Sequence, residues 1–208
     1  MVDAATSLSA ADPVLGRVIA ALADTELPAR APDRPAGGDH YAALVRTIAG
    51  QQLSVLAARA IWRKLLDRFD GRAPTPQEVL ASDPEELRAA AGFSRAKVSY
   101  LRSLAEHVLS GELELDRLNE LPDDEVIAEL VAVRGIGEWS AHMFLIFQLD
   151  RPDVLATGDL GIRRAVQLAY ELATLPTPAE LSALAEPWRP HRTAACRYLW
   201  RSLDATPA

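Results

Sequence analysis

The residues most suited to chemistry stand in two places. The first is 121–147, LPDDEVIAELVAVRGIGEWSAHMFLIF. Val126, Leu130 and Val133 fall on one helical stripe, Gly135-Ile136-Gly137 forces a reversal, and helical periodicity resumes from Trp139 to Phe147. Glycines here can take positive φ and leave backbone N–H groups uncovered at the start of the second helix, where the macrodipole favours an anion. Such a hairpin can grip a phosphate, although the G-x-G tripeptide alone is better explained as a tight turn between packed helices. The second is Asp159, which precedes Leu160, Ile162, Val166 and Leu168. That apolar spacing puts its carboxylate at a helix N-terminus, where an ordinary N-cap would already account for it. The single cysteine, Cys196, excludes an internal disulfide and a four-cysteine iron–sulfur cluster, and reads as a buried thiol. His40, His107, His142 and His191 lack metal-ligand spacing, which argues against a catalytic zinc.

The elements that must carry these residues read as helix after helix. Thr75-Pro76-Gln77-Glu78, Asp83-Pro84-Glu85-Glu86 and Thr177-Pro178-Ala179-Glu180 each offer a cap oxygen, a proline at the first helical position and an acid at the third. Val14, Leu15, Val18, Ile19 and Leu22 form one apolar face; Ala57, Ile61, Leu65, Leu66 and Phe69 form another after a Ser54 cap. Gly92 and Gly111 fit as helix stops. The proline- and glycine-rich stretch Leu27 to Gly38 predicts a loop or an interlobe connection. No sustained period-two alternation and no solenoid repeat occur, so the expected fold class is all-α. At 208 residues and 49% apolar content, the chain can build one domain or two small lobes.

A formal net charge of −7 argues against nucleic-acid binding at face value, but the charges are segregated. Arg46, Arg59, Arg63, Lys64, Arg68 and Arg72 face only Asp67 and Asp70 along 46–72, and Arg189, Arg192, Arg197 and Arg201 meet no acid along 189–201. A basic face is permitted, not required, because charge runs are usually solvated helix faces. The N-terminus MVDAATSLSAADPVL has an acid where a secretory signal needs a basic flank, and no apolar run reaches bilayer length. The expectation is a cytoplasmic protein with no membrane partner.

The string Leu130-x-x-Val133-Arg134-Gly135-Ile136-Gly137-x-Trp139-Ser140-Ala141 resembles the hairpin of the helix-hairpin-helix (HhH-GPD) DNA glycosylases, a superfamily named for its hairpin, a Gly/Pro-rich loop and a following aspartate. Asp153 to Ile162, with Asp159 inside it, follows at the family's separation. Arg46-Thr47-Ile48-Ala49-Gly50-Gln51-Gln52-Leu53-Ser54, Gly92-Phe93-Ser94-Arg95-Ala96-Lys97, and Trp188-Arg189-Pro190-His191-Arg192 leading to Tyr198-Leu199-Trp200-Arg201 resemble the 3-methyladenine DNA glycosylase II branch. The collinear match runs from about 40 to 203.

This resemblance implies a two-lobed helical fold with a cleft between the lobes: 1–39 as an N-terminal helix and connection packed with the C-terminal part, 40–118 as one lobe, and 119–208 as a lobe holding the hairpin, the aspartate and the C-terminal helices. It implies a monomeric enzyme that flips alkylated bases out of double-stranded DNA and hydrolyses the N-glycosidic bond in base excision repair. Asp159 would be the catalytic carboxylate, stabilising an oxocarbenium-like transition state and positioning water. Trp139, Met143 and Trp188 would line the base pocket, the indoles attracting a cationic base. Gln52, Gly135, Ile136, Gly137 and Trp139 would bind DNA, with Gln52 filling the gap left by the flipped base. Trp139 occupies the hairpin position at which strand-cleaving relatives carry a Schiff-base lysine, which implies a monofunctional enzyme. No cofactor is implied, but a structural Na+ or K+ on the carbonyls of Val131, Val133 and Ile136 is. The roughly forty residues before the match leave no room for an additional N-terminal β-rich domain, so a compact helical form is expected.

Three other readings stand beside this one. A non-catalytic helix-hairpin-helix DNA-binding module would explain the hairpin but not the Asp159 motif. A glycosylase for oxidised or mismatched bases is disfavoured by the missing lysine and cluster cysteines. A helical scaffold without nucleic acid would suit the net charge.

Overall fold

The computed structural model describes residues 3–22 and 39–204, and these are helical with no strand among them, as the sequence predicts. In chain order the helices are α1 (Ala4–Ala11), α2 (Pro13–Ala21), α3 (His40–Gly50), α4 (Val55–Arg68), α5 (Pro76–Ala81), α6 (Pro84–Ala91), α7 (Arg95–Ser110), α8 (Asp123–Ala132), α9 (Glu138–Phe147), α10 (Leu160–Ala169), α11 (Pro178–Leu184) and α12 (Arg192–Asp204), with 3₁₀ turns at Leu115–Asn119 and Glu186–Trp188. No described helix is long and apolar enough to cross a membrane. The connection predicted over Leu27 to Gly38 lies outside the described residues.

Local side-chain chemistry starts and stops these helices. Thr75 and Thr177 form reciprocal capping boxes with Glu78 and Glu180, and Asp83 accepts the amides of Glu85 and Glu86. Gly92 and Gly111 end α6 and α7 in the left-handed conformation. The N-terminal segment makes two helices rather than one. Asp12-Pro13 uses the same punctuation, the Asp12 carboxylate capping the amides of Val14 and Leu15 while Pro13 opens α2.

Two compact units result. One joins the N-terminal helices to the chain from Leu145 onward; the other ends at Phe144. The division falls inside α9, not at 118/119 as read from the sequence, so the hairpin belongs to the unit of α3 to α7 and not to that of Asp159. In the hairpin's unit, Leu44, Val45, Ile48 and Ala49 of α3 are fully buried, with α4 and α7 packed on that helix. In the other unit, α1 and α2 pack on α12, and α10 packs on α12, α11 and α2; Leu15, Val166 and Leu199 are buried at its core.

Asp12 locks this second unit together. Besides capping α2, its carboxylate accepts Trp188 Nε1 at 2.8 Å and the Tyr170 hydroxyl. Burial pushes this carboxyl up, yet the hydrogen bonds from Trp188, Tyr170, Leu15 and Val14 outweigh it and hold the group below the ordinary aspartate range. A carboxyl depressed in the folded state contributes stability above its unfolded pKa and loses it as pH falls through the folded value. Asp12→Asn is therefore expected to cost about 2 kcal/mol at neutral pH, since one buried donor loses its acceptor. Denaturation followed from pH 7 to below about 4 should show the difference between wild type and variant shrinking with acid; a constant difference would contradict the assignment.

Candidate functional site

The hairpin is built by constraints from both ends. Helix α8 stops at Ala132, and Val133 becomes extended. The Ile136 N–H then closes on the Val133 carbonyl at 3.0 Å, and Gly135 takes φ +91°. A Cβ at Gly135 would stand 2.1 Å from Cγ of Tyr100 on α7. Glycine is thus required there twice, by the backbone angle and by the ring. Gln51 Nε2 donates to the Gly135 carbonyl at 2.8 Å, tying the turn to the end of α3. Lys97 Nζ donates to the Ala49 carbonyl at 2.8 Å, and burial lowers the pKa of its ammonium. Three sequence segments, 46–54, 92–97 and 130–141, are therefore linked through Gln51 and Lys97, and Tyr100, just beyond the second, presses on Gly135 in the third.

Gly137 differs from Gly135. Open space surrounds the point where its Cβ would be, so packing does not demand glycine; a ligand approaching the backbone would. After it α9 begins, the Ala141 N–H bonding the Gly137 carbonyl at 3.1 Å. Of the expected hairpin contacts, Gly137 is exposed, Trp139 is 43% exposed and Ile136 is buried. Met143, one turn further along α9, is also buried. Among the carbonyl-bearing residues, Val131 is exposed and Val133 buried. Gln52 is exposed at the turn between α3 and α4, with φ +58°, a left-handed angle uncommon for a residue with a side chain. Its neighbour Gln51, not Gln52, makes the hydrogen bond to the hairpin turn.

The second unit holds the carboxylate. Asp159 caps α10, its Oδ1 accepting the Ile162 N–H at 2.8 Å and Trp200 Nε1 at 2.9 Å. Trp200 in turn stacks on Phe147, ring centroids 5.6 Å apart and planes 20° from parallel. Gly161 keeps the space clear: a Cβ there would lie 3.0 Å from Asp159 Oδ1 and 3.3 Å from Trp200 Cδ1. At the other end of the loop, Asp153 accepts Arg192 Nε and Arg189 Nη1, both at 2.7 Å. The loop 153–159 is stapled to the α12 region at both ends.

Trp188 is corrected by the structure. It is fully buried, with its indole N–H on Asp12, and has no face to offer a base. The basic runs are also narrower than they read, because Arg68 pairs with Glu86, Arg72 with Glu78 and Arg197 with Asp150. Cys196 is buried as expected, and burial pushes its thiol up to about 12, so it is inert. No cluster of His, Cys, Asp or Glu able to hold a metal occurs among the described residues. The roles of Gln51, Tyr100, Gly161 and Trp200 escaped the sequence reading. Only Trp200 gave a signal, since a part-buried indole N–H needs an acceptor.

A glycine hairpin between α8 and α9 followed by an aspartate capping α10 defines a helix-hairpin-helix protein, and comparison with known proteins agrees. The family model of the HhH-GPD superfamily base excision DNA repair proteins matches residues 45–190. DNA-3-methyladenine glycosylase 1 of Schizosaccharomyces pombe is 38% identical over 164 residues, 78% of this chain and 72% of that protein. Among solved structures, the S. pombe 3-methyladenine DNA glycosylase in complex with abasic DNA aligns with a TM-score of 0.81 and 34% identity, covering 95% of each chain. A DNA-3-methyladenine glycosidase from Bacillus halodurans aligns with a TM-score of 0.80 and 33% identity over 97% of this chain and 89% of that one. The chain belongs to the HhH-GPD superfamily of base excision DNA repair proteins.

The double requirement at Gly135 is measurable. Gly135→Ala should destabilise the chain by about 3 kcal/mol, combining positive-φ strain with the clash. In a Tyr100→Ala background the same substitution should cost at least about 1 kcal/mol less, read as the coupling in a double-mutant denaturation cycle. Additive effects would show that the ring imposes nothing on the turn.

Proposed function

We propose that the chain is a monofunctional DNA glycosylase of the DNA-3-methyladenine glycosylase II type, acting as a monomer on damaged double-stranded DNA in the cytoplasm. It flips an alkylated base out of the duplex and hydrolyses the N-glycosidic bond to leave an abasic site for base excision repair. Membership of the superfamily and the two S. pombe comparisons support the reaction class and the choice of alkylated base.

The observation that carries the chemistry is the anchoring of Asp159 through Oδ1 by two N–H donors. A carboxylate fixed this way stabilises positive charge at the sugar without reorganising as that charge develops. As the C1′–N bond breaks, its electron pair leaves with the base, neutralising a cationic alkylated purine. Water adds at C1′ and gives up a proton to the carboxylate, as it does to the general base of an inverting glycosidase. Trp139 supplies an exposed aromatic face and no amine, so no Schiff base forms at that position.

The amides at Gly135, Gly137 and Trp139 take a strand phosphate at the start of α9. Gln52, exposed on a left-handed turn, fills the space the flipped nucleotide vacates; its strained backbone is what a functional turn sustains. For the implied monovalent cation, the donors are neutral main-chain oxygens, that of Val131 in the last turn of α8 and those of Val133 and Ile136 in the turn that follows, the Val133 carbonyl also accepting the Ile136 N–H. The carbonyls of Val131, Val133 and Ile136 would hold Na+ or K+, whose charge would offset that of the phosphate.

Duplexes bearing 3-methyladenine, 7-methylguanine, 1-methyladenine, 8-oxoguanine or hypoxanthine, incubated with the protein and then treated with alkali, test the reading. Alkylated bases should be released, with strand scission only after alkali; release confined to oxidised bases, or scission without alkali, would contradict it. Trp200→Phe keeps the ring on Phe147 but removes the donor to Asp159. It should slow single-turnover base release by about tenfold, the loss of one hydrogen bond to a charged group, while leaving duplex affinity unchanged. An equal loss of affinity would assign Trp200 to packing instead.

A further inference from the structure

A cavity of about 350 Å³ opens beside the hairpin, walled by α6, one face of α7 and Arg134. Four arginines, Arg88, Arg95, Arg102 and Arg134, line it together with Glu85 and Glu106. We propose that this cavity is a second anion site, which takes a phosphate of the nucleic-acid strand held by the hairpin. The inference rests on the DNA-binding reading above.

The arginines are not spent on one another's counterions. Arg102 Nη1 donates to the carbonyls of Val79, Leu80 and Ser82, at 3.3, 3.2 and 3.4 Å. These contacts fix its position without neutralising it by a full negative charge. Arg88 and Arg95 share a single carboxylate, Glu85, at 2.7 and 3.4 Å. Arg134 is exposed and has no ion-pair partner among the described residues. The cavity thus keeps a positive excess on three separate segments, and guanidinium forks match phosphate oxygens in both geometry and charge.

Its place makes a strand phosphate the fitting ligand. Arg134 immediately precedes Gly135, whose turn is held by Tyr100, and Ser99, the residue before Tyr100 on α7, lines the cavity. A strand gripped at the hairpin amides therefore runs past Arg134, and its next phosphate meets the cavity. Such a contact positions the strand and reads no base, so it acts alike on damaged and intact duplex. Glu85 acts as a built-in competitor: it holds two of the arginines until a phosphate displaces it.

The test is duplex affinity of the full chain against salt, for wild type, Arg134→Ala, Arg95→Ala and Glu85→Gln, with folding checked by circular dichroism. All three positions are exposed. Each arginine variant should bind intact and alkylated duplex about three- to tenfold more weakly at low salt, and lower the slope of log K against log salt by about one. Glu85→Gln should bind more tightly, an outcome that a merely structural Glu85 would not give. Unchanged affinity and slope in both arginine variants, with normal wild-type binding, would overturn the site. So would titration with inorganic pyrophosphate, if its binding were lost in Arg134→Ala while duplex affinity stayed the same, since the ligand would then be a free phosphate compound. A wild-type chain that binds no duplex even at low salt would overturn the glycosylase reading, and this site with it.

Discussion

A carboxylate meant to meet a developing positive charge has to be held before that charge appears, and everything proposed for this chain depends on how Asp159 is held. One oxygen takes the Ile162 amide in the first turn of α10 and the indole N–H of Trp200. Trp200 keeps its place by stacking on Phe147, and Gly161 leaves the gap through which indole and carboxylate meet. Further along the loop, Arg189 and Arg192 clamp Asp153. A hydrogen bond to a charged group contributes about 1.5–3 kcal/mol. Two of them on one oxygen oppose rotation of the carboxyl strongly enough to preorganise it. The helix cap and the proposed catalytic group are one structural fact, which is why the capping explanation and the enzymatic one do not compete.

The acidic net charge stops being an objection once the acids are located. Asp12, Asp39, Asp83 and Asp159 cap helices; Glu78 and Glu180 complete capping boxes; Asp123, Asp124 and Glu125 lie in the first turn of α8. These positions complement helix dipoles. Beside the hairpin the balance is the reverse, since the neighbouring cavity is lined by four arginines against two glutamates. Phosphate binding depends on that local balance and not on the sum over the chain.

Much of this was legible in the residues because it is local. Thr-Pro-x-Glu and Asp-Pro punctuation, the Val126-Leu130-Val133 stripe and the aspartate before an apolar helix are all decided within a few residues of one another, and the helices, the hairpin and the Asp159 cap follow. What stayed hidden is non-local. Nothing in the string says that Tyr100 will press on Gly135, that Gln51 and not Gln52 will tie the end of α3 to the hairpin turn, or that Trp200 will reach back 41 positions to Asp159. Trp188 illustrates the reverse error, an aromatic read as a ligand platform whose N–H is needed inside the core by Asp12. The unit boundary was missed for the same reason, since the contacts that bind the hairpin to α3 and α7 join residues distant in sequence.

The most direct measurement is single-turnover release of 3-methyladenine or 7-methylguanine by Asp159→Asn beside wild type, with affinity for the same duplex determined in parallel. Asparagine can still accept the Ile162 and Trp200 N–H groups, so the loop should remain in place while the negative charge is lost. The account predicts duplex binding within twofold of wild type and base release slowed by about two to three orders of magnitude, as when a preorganised electrostatic group is removed. Release at the wild-type rate would contradict it and leave Asp159 as nothing more than the cap of α10.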